Sequence, residues 1–203
     1  ARNTLLNLTG QVVPLLVGVV AIPILIRTIG VERFGLLSLA WLVIGYFTIL
    51  DLGMGKSATK YIAEARGRGA EADIPAIMWS AVVTQFIMGI VGAVVMYLVA
   101  PTLVDSVLKI PQELRAEALA VFRLLGLGIP VVLVSASFSG ALEAVQRFDL
   151  LNAVRVPSSL GAYLLPLAGA LAGLGLPALV LSILLIRICA FLAFTLLSLR
   201  VLP

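Results

Sequence analysis

Arg187 is the side chain in this sequence that packing explains least well. It stands about ten residues from either end of the apolar run 177–199. At the centre of a bilayer an arginine costs at least ~2.5–3.5 kcal/mol on insertion scales. It must bond backbone carbonyls, snorkel to an interface, or face a wet cavity and meet an anion. Guanidinium suits the last task, because its planar fork of donors binds two phosphate oxygens and never deprotonates. Arg123 and Arg27 stand nearer the ends of their runs, where snorkelling competes with an anion role at a cavity mouth.

Polar residues recur in register elsewhere. Asn3, Asn7, Gln11, Pro14 and Gly18 are spaced by three and four, so they share one helical face. Arg123, Gly126, Pro130 and Ser137 align in a second run. Asn152, Arg155, Ser159, Tyr163 and Pro166 align in a third. Such faces would be costly against lipid, so they meet protein or water. Interhelical hydrogen bonding and the lining of a polar cavity both satisfy that demand. Pro14, Pro23, Pro130 and Pro166 lie inside apolar runs. Each removes a backbone hydrogen bond and can bend its helix, which suits a gate or rocking hinge.

One motif is a decoy. Gly53-Met-Gly-Lys-Ser57 resembles the end of a phosphate-binding loop, but the required first glycine is Leu50 and a membrane helix, not a strand, precedes it. Tight-turn glycines at a helix end explain it better.

The elements that must position these residues follow from composition. Of 203 residues, 62% are hydrophobic and 12% charged, against about 25% charged in an ordinary soluble domain. The mean hydropathy is +1.18. A soluble domain of this size could not hide that much apolar surface from water. The chain is therefore expected to be an all-α polytopic membrane protein. Six stretches are long enough to span: about 8–29, 35–54, 76–100, 118–141, 150–173 and 177–199. They use most of the chain and leave a single membrane lobe over 1–203. The first run is too long for a signal-peptide core and is expected to be retained. Ala1 is not Met, which is read as a trimmed start or a fragment.

With the N-terminus inside, Arg2, Lys56, Lys60, Arg66, Arg68, Arg147, Arg155 and Arg200 fall on the cytoplasmic side, and Arg27, Arg33, Lys109, Arg115 and Arg123 on the other. The bias favours both termini inside. Segment 56–68 places Ala58, Tyr61, Ile62 and Ala65 on one face. It is either a short surface helix whose cations meet anionic headgroups or a solvated helix with topogenic charges. The segment 101–117 is expected to be partly helical. There is no His and one Cys, which excludes a His-based triad, a His/Cys zinc site and an internal disulfide. No metal, cofactor or nucleic-acid partner is expected. The net charge of +4 reflects topogenic Lys and Arg.

Several segments in order carry a resemblance: Asn3-Thr-Leu-Leu-Asn-Leu, Ile26-Arg-Thr-Ile-Gly30, Glu32-Arg-Phe-Gly-Leu36, Asp51-Leu-Gly-Met-Gly55 and Lys60-Tyr-Ile-Ala-Glu64. Over this third of the chain the sequence resembles bacterial polysaccharide flippases, the O-antigen and capsule exporters of the multidrug/oligosaccharidyl-lipid/polysaccharide superfamily. The rest matches in span number and rhythm. The resemblance implies two six-helix lobes around a cavity, alternating access, and transfer of polyprenyl-pyrophosphate-linked oligosaccharide from the cytoplasmic to the outer leaflet of the inner membrane. It implies cavity arginines that attract the pyrophosphate. Only one lobe is present here, so the partner would be a missing second lobe or a second copy.

On that footing Arg187 and Arg123 are the expected anion ligands and Asn7 and Gln11 the ligands for sugar hydroxyls. Arg155 and Tyr163 join the expected substrate-binding set. Asp51, Pro14, Pro130 and Pro166 are the expected gating residues. A non-enzymatic transport role follows. The alternatives are a cation-coupled multidrug exporter lobe, which would want a mid-membrane carboxylate, an intramembrane sugar transferase, which would want paired carboxylates or a metal, and a non-transporting subunit whose polar faces pack against protein.

Overall fold

The computed structural model describes the backbone of residues 2–50 and 53–202 and the side chains of 13–47 and 53–202. Among these the chain forms α1 (Arg2–Ile29), α2 (Val31–Leu50), α3 (Met54–Gly67), α4 (Ile74–Thr102), α5 (Arg115–Ala144), α6 (Phe148–Leu171) and α7 (Leu176–Val201). No strand occurs among the described residues. Between α4 and α5 lie a π-helical turn at Leu103–Val107 and a 3-10 turn at Gln112–Leu114, as the expected partial helicity requires. Gly30 separates α1 from α2 at φ +84, a left-handed conformation that costs a side-chain-bearing residue roughly 1–2 kcal/mol.

Among the described residues, three helical stretches have the length and apolar composition to cross a membrane: Glu71–Val107, Gln112–Ala144 and Leu176–Val201. Val13–Ile29 is a shorter apolar helix. The first half of α6 differs from these because it carries Asp149, Asn152, Arg155, Ser158 and Ser159.

Helix α5 is central and packs against α2, α3, α4 and α7, while α6 packs against α1 and α7. Large apolar side chains remain exposed on the outer faces of α4 (Phe86, Ile90, Val94) and α7 (Leu185, Leu192, Leu196). Helices that are apolar on the side away from protein belong in lipid. There the hydrophobic effect does not drive helices together, so close packing through small residues must do so. A Cβ on Gly89 of α4 would come within 2.5 Å of Pro130 Cα on α5. A Cβ on Gly140 of α5 would lie 2.5 Å from the Gly55 carbonyl oxygen on α3. Thr59 Oγ1 is 2.9 Å from the carbonyls of both Gly55 and Gly140, sharing one proton across that contact. Ser198 Oγ donates to the Phe138 carbonyl at 2.9 Å, tying α7 to α5.

The buried apolar residues fall into separate clusters. One joins Leu25, Leu36, Leu114, Ala118 and Leu176. Another joins Ile62, Ile74, Leu142, Leu151 and Phe194.

The buried face of α3 is Gly55, Ala58, Ile62 and Ala65, set against α4 and α5. The expected face is corrected at Tyr61, which is 53% exposed. At 100° per residue Tyr61 falls beyond the edge of the arc that Gly55 and Ala65 delimit. The glycines of the decoy motif do what turn and packing require: Gly53 takes φ +76 just before α3, and Gly55 meets Gly140.

Candidate functional site

Three helices and the first turn of α3 line a partly open cavity of about 350 Å³. On α5, Ser135, Ser139 and Glu143 follow at intervals of four and so point the same way. On α6, Arg155, Ser158 and Ser159 line the facing wall, and on α7 Arg187, Ala190 and Phe194 line the third. Lys56 of α3 stands at the end that carries Glu143 and Arg155.

The lining carries three cations, Lys56, Arg155 and Arg187, and one carboxylate, Glu143. Arg155 Nη2 donates to Glu143 Oε1 at 2.7 Å, bridging the end of α5 to α6. Arg187 is different. Its Nε is buried with no hydrogen-bond partner, and among the described residues it forms no ion pair. A buried charged donor left unsatisfied is costly, so this wall presents an unmet demand for acceptors. Ser158 Oγ donates to the Val154 carbonyl at 2.7 Å and Ser139 Oγ to the Ala136 carbonyl at 3.1 Å. Each hydroxyl oxygen keeps lone pairs with which it can accept from a ligand that donates. The arrangement can hold anionic oxygens by guanidinium and ammonium, and hydroxyl groups by serine.

Of the residues expected from the sequence, this cavity unites Arg187 and Arg155, with Ser159 of the third stripe. It does not include Arg123, which is exposed and stacks 5.0 Å from the Tyr97 ring centroid on the outer side of α4 and α5. Tyr163 is also elsewhere. Its ring meets Trp41 at 5.2 Å between centroids and packs against Gly18, joining α6 to α2 and α1. Pro14 and Pro166 are buried, and α1 runs unbroken through Pro14. Pro130 forms the close contact with Gly89. Asp51 and the side chains of Asn7 and Gln11 lie outside the described residues. Lys56, Ser135, Ser139, Glu143 and Ser158 complete the site without having been expected there. The four-residue spacing of Ser135, Ser139 and Glu143 was the available signal.

A family model described as "Polysaccharide biosynthesis protein" matches residues 1–202. The chain belongs to this family. A relative from Shigella flexneri, named "Putative O-antigen transporter", is 26% identical over 158 residues. The match covers 78% of this chain and 37% of that relative, so the chain spans little more than a third of its length. No solved structure matches. Family membership and the apolar helices together locate this polysaccharide biosynthesis protein in a membrane.

Proposed function

We propose that this chain is one six-span lobe of a flippase that moves polyprenyl-pyrophosphate-linked oligosaccharide across the cytoplasmic membrane by alternating access. It acts as a transporter rather than an enzyme, with both termini cytoplasmic. The observation that carries this reading is the cavity's composition: Lys56, Arg155 and Arg187 against Glu143 alone, with serines between them. Arg187 meets the pyrophosphate and Lys56 adds a second cation at the mouth. Arg155 engages the anion when Glu143 releases it. The serines accept hydrogen bonds from sugar hydroxyls, a task we assign also to Asn7 and Gln11. Pro14, Pro130 and Pro166 and Asp51 are assigned to the gate, while Arg123 and Tyr163 serve the packing of their helices. A second lobe, from the rest of a longer chain or from a second copy, closes the cavity.

The excess of cations counts against the export of cationic drugs. The paired carboxylates that a sugar transferase would need have no counterpart in the cavity lining. The deciding experiment is translocation of a fluorescent polyprenyl-pyrophosphate oligosaccharide in vesicles by a full-length protein that contains this lobe. Arg187→Ala should slow it at least about tenfold and Arg187→Lys less. Translocation undiminished in both variants would remove the anion role.

A further inference from the structure

Helix α3 has a second side that the cavity does not use. Away from Lys56, it meets α4 along a groove of about 410 Å³. The α3 wall holds Ser57, Ala58 and Tyr61, and the α4 wall Ile77, Ser80 and Ala81. The α4 hydroxyls are turned back on their own helix: Ser80 Oγ donates to the Ala76 carbonyl at 2.8 Å, and Thr84 Oγ1 to the Ser80 carbonyl at 2.8 Å. Their donors are spent, and the groove floor is left apolar.

The rim has the opposite character. Lys60 Nζ lies 5.9 Å from the Tyr61 ring centroid, and both side chains are exposed. Helix α3 also exposes Arg66, Arg68 is exposed just past its end, and the helix's one acid, Glu64, is 3.5 Å from Arg68. Tyr61 and Trp79 are both about half exposed at this end of α4, as aromatic side chains at a membrane-water boundary are. Beyond the groove, α4 continues into its lipid-facing side at Val83, Phe86 and Ile87.

An apolar floor with Lys60 and Arg66 exposed on the same helix beside it is complementary to one kind of molecule. We infer that the α3–α4 groove is a binding site for an anionic glycerophospholipid of the bilayer, with an acyl chain along Ile77, Ser80 and Ala81 and the phosphate at Lys60. The site is separate from the cavity on the far side of α3. One lysine near an anionic surface is worth on the order of fivefold in binding.

The test uses a reporter in the groove. The two native tryptophans are replaced (Trp41→Phe, Trp79→Phe) and Tyr61→Trp supplies the only indole. The protein is reconstituted in phosphatidylcholine vesicles in which either phosphatidylglycerol or phosphatidylcholine carries bromine on its acyl chains. Half-maximal quenching should need about fivefold less brominated phosphatidylglycerol than brominated phosphatidylcholine. Lys60→Gln should bring the two within about twofold, and Ala81→Leu should weaken quenching by both. Equal quenching by the two lipids in the reporter chain would overturn the proposal. So would a preference indifferent to Lys60→Gln, or displacement of the brominated lipid by polyprenyl phosphate rather than by phosphatidylglycerol, which would give the groove to the substrate's tail. Phospholipid retained by the unsubstituted protein in mild detergent provides a readout independent of the reporter. Enrichment of phosphatidylglycerol about fivefold over the vesicle composition supports the site, and retention at the bulk ratio refutes it.

Discussion

Arg155 and Glu143 form a 2.7 Å ion pair across the cavity, while Arg187 in the same cavity has no carboxylate partner among the described residues. The two arginines therefore differ in what an incoming anion must do. At Arg187 it fills an open position. At Arg155 it competes with a carboxylate that is only 29% exposed.

That difference predicts opposite effects of two substitutions. Glu143→Gln removes the competitor and should tighten binding of a polyprenyl pyrophosphate probe several-fold. Arg155→Gln should weaken it by a similar factor. A half-exposed pair contributes about 0–1 kcal/mol to stability, so thermal midpoints should scarcely move. Fluorescence titration of the labelled pyrophosphate checks the affinities, and equal affinity in Glu143→Gln and the parent chain would count against competition.

The cavity should be wet and the outer surface should not. In a Cys189→Ala background, cysteine placed at Ser139 should react with a membrane-impermeant charged thiol reagent. Cysteine placed at Leu127, which is 70% exposed on α5, should not, because lipid covers it. Labelling yield from each side of sealed vesicles measures this, and the side that labels Ser139→Cys also reports the membrane face on which Lys56 and Glu143 lie.

The α3–α5 contact should tolerate no added side chain. Gly140→Ala would drive a methyl into the Gly55 carbonyl, which is backbone and cannot rotate away. Overpacking of this kind costs about 1–3 kcal/mol. Thr59→Val keeps the volume but loses a shared hydrogen bond, at about 0.5–1.5 kcal/mol. Thermal unfolding in detergent should rank the parent above Thr59→Val and Thr59→Val above Gly140→Ala.

Acid should loosen the corner between α5 and α6. The hydrogen bond from Arg147, at 2.9–3.3 Å, is the main cause holding the Asp149 carboxyl below its ordinary value of 3.8. A carboxyl with a lowered folded-state pKa stabilises the fold above its unfolded value, and that contribution disappears as pH falls through the folded one. Protection from hydrogen exchange at the start of α6, taken relative to the intrinsic exchange rate at each pH, should fall below pH 3.8 in the parent. In Asp149→Asn it should already be lower at neutral pH and show less further change with acid.

Much of the helical plan is legible in the sequence because membrane spans are written in long apolar runs, which need no tertiary context to recognise. Arg187, Arg155 and Ser159 could be singled out for the same reason: polar groups inside such runs are exceptional. Arg123 shows where this ends. It shares a helical face with Gly126, Pro130 and Ser137 by spacing, yet Gly126 and Ser137 are buried against neighbours and Arg123 turns out over Tyr97. Periodicity gives an angle around one helix but not which neighbour occupies it. Tyr61 falls outside its expected face for the same reason, since α4 and α5 together set the width of the arc that α3 buries.

Composition and local spacing alone determined that this is a helical membrane protein, which segments are helices, and which polar side chains lipid would not tolerate. Those properties depend on each residue's own transfer energy and on its near neighbours in the chain. Tertiary structure decided that Glu143 faces Arg155, that Arg187 beside them has no ion-pair partner among the described residues, and that α3 separates a cationic cavity from an apolar groove. Those relationships join residues from four or more helices. They depend on how closely glycine pairs such as Gly55 and Gly140 let the backbones approach, a sum of packing contacts that no single stretch of sequence contains.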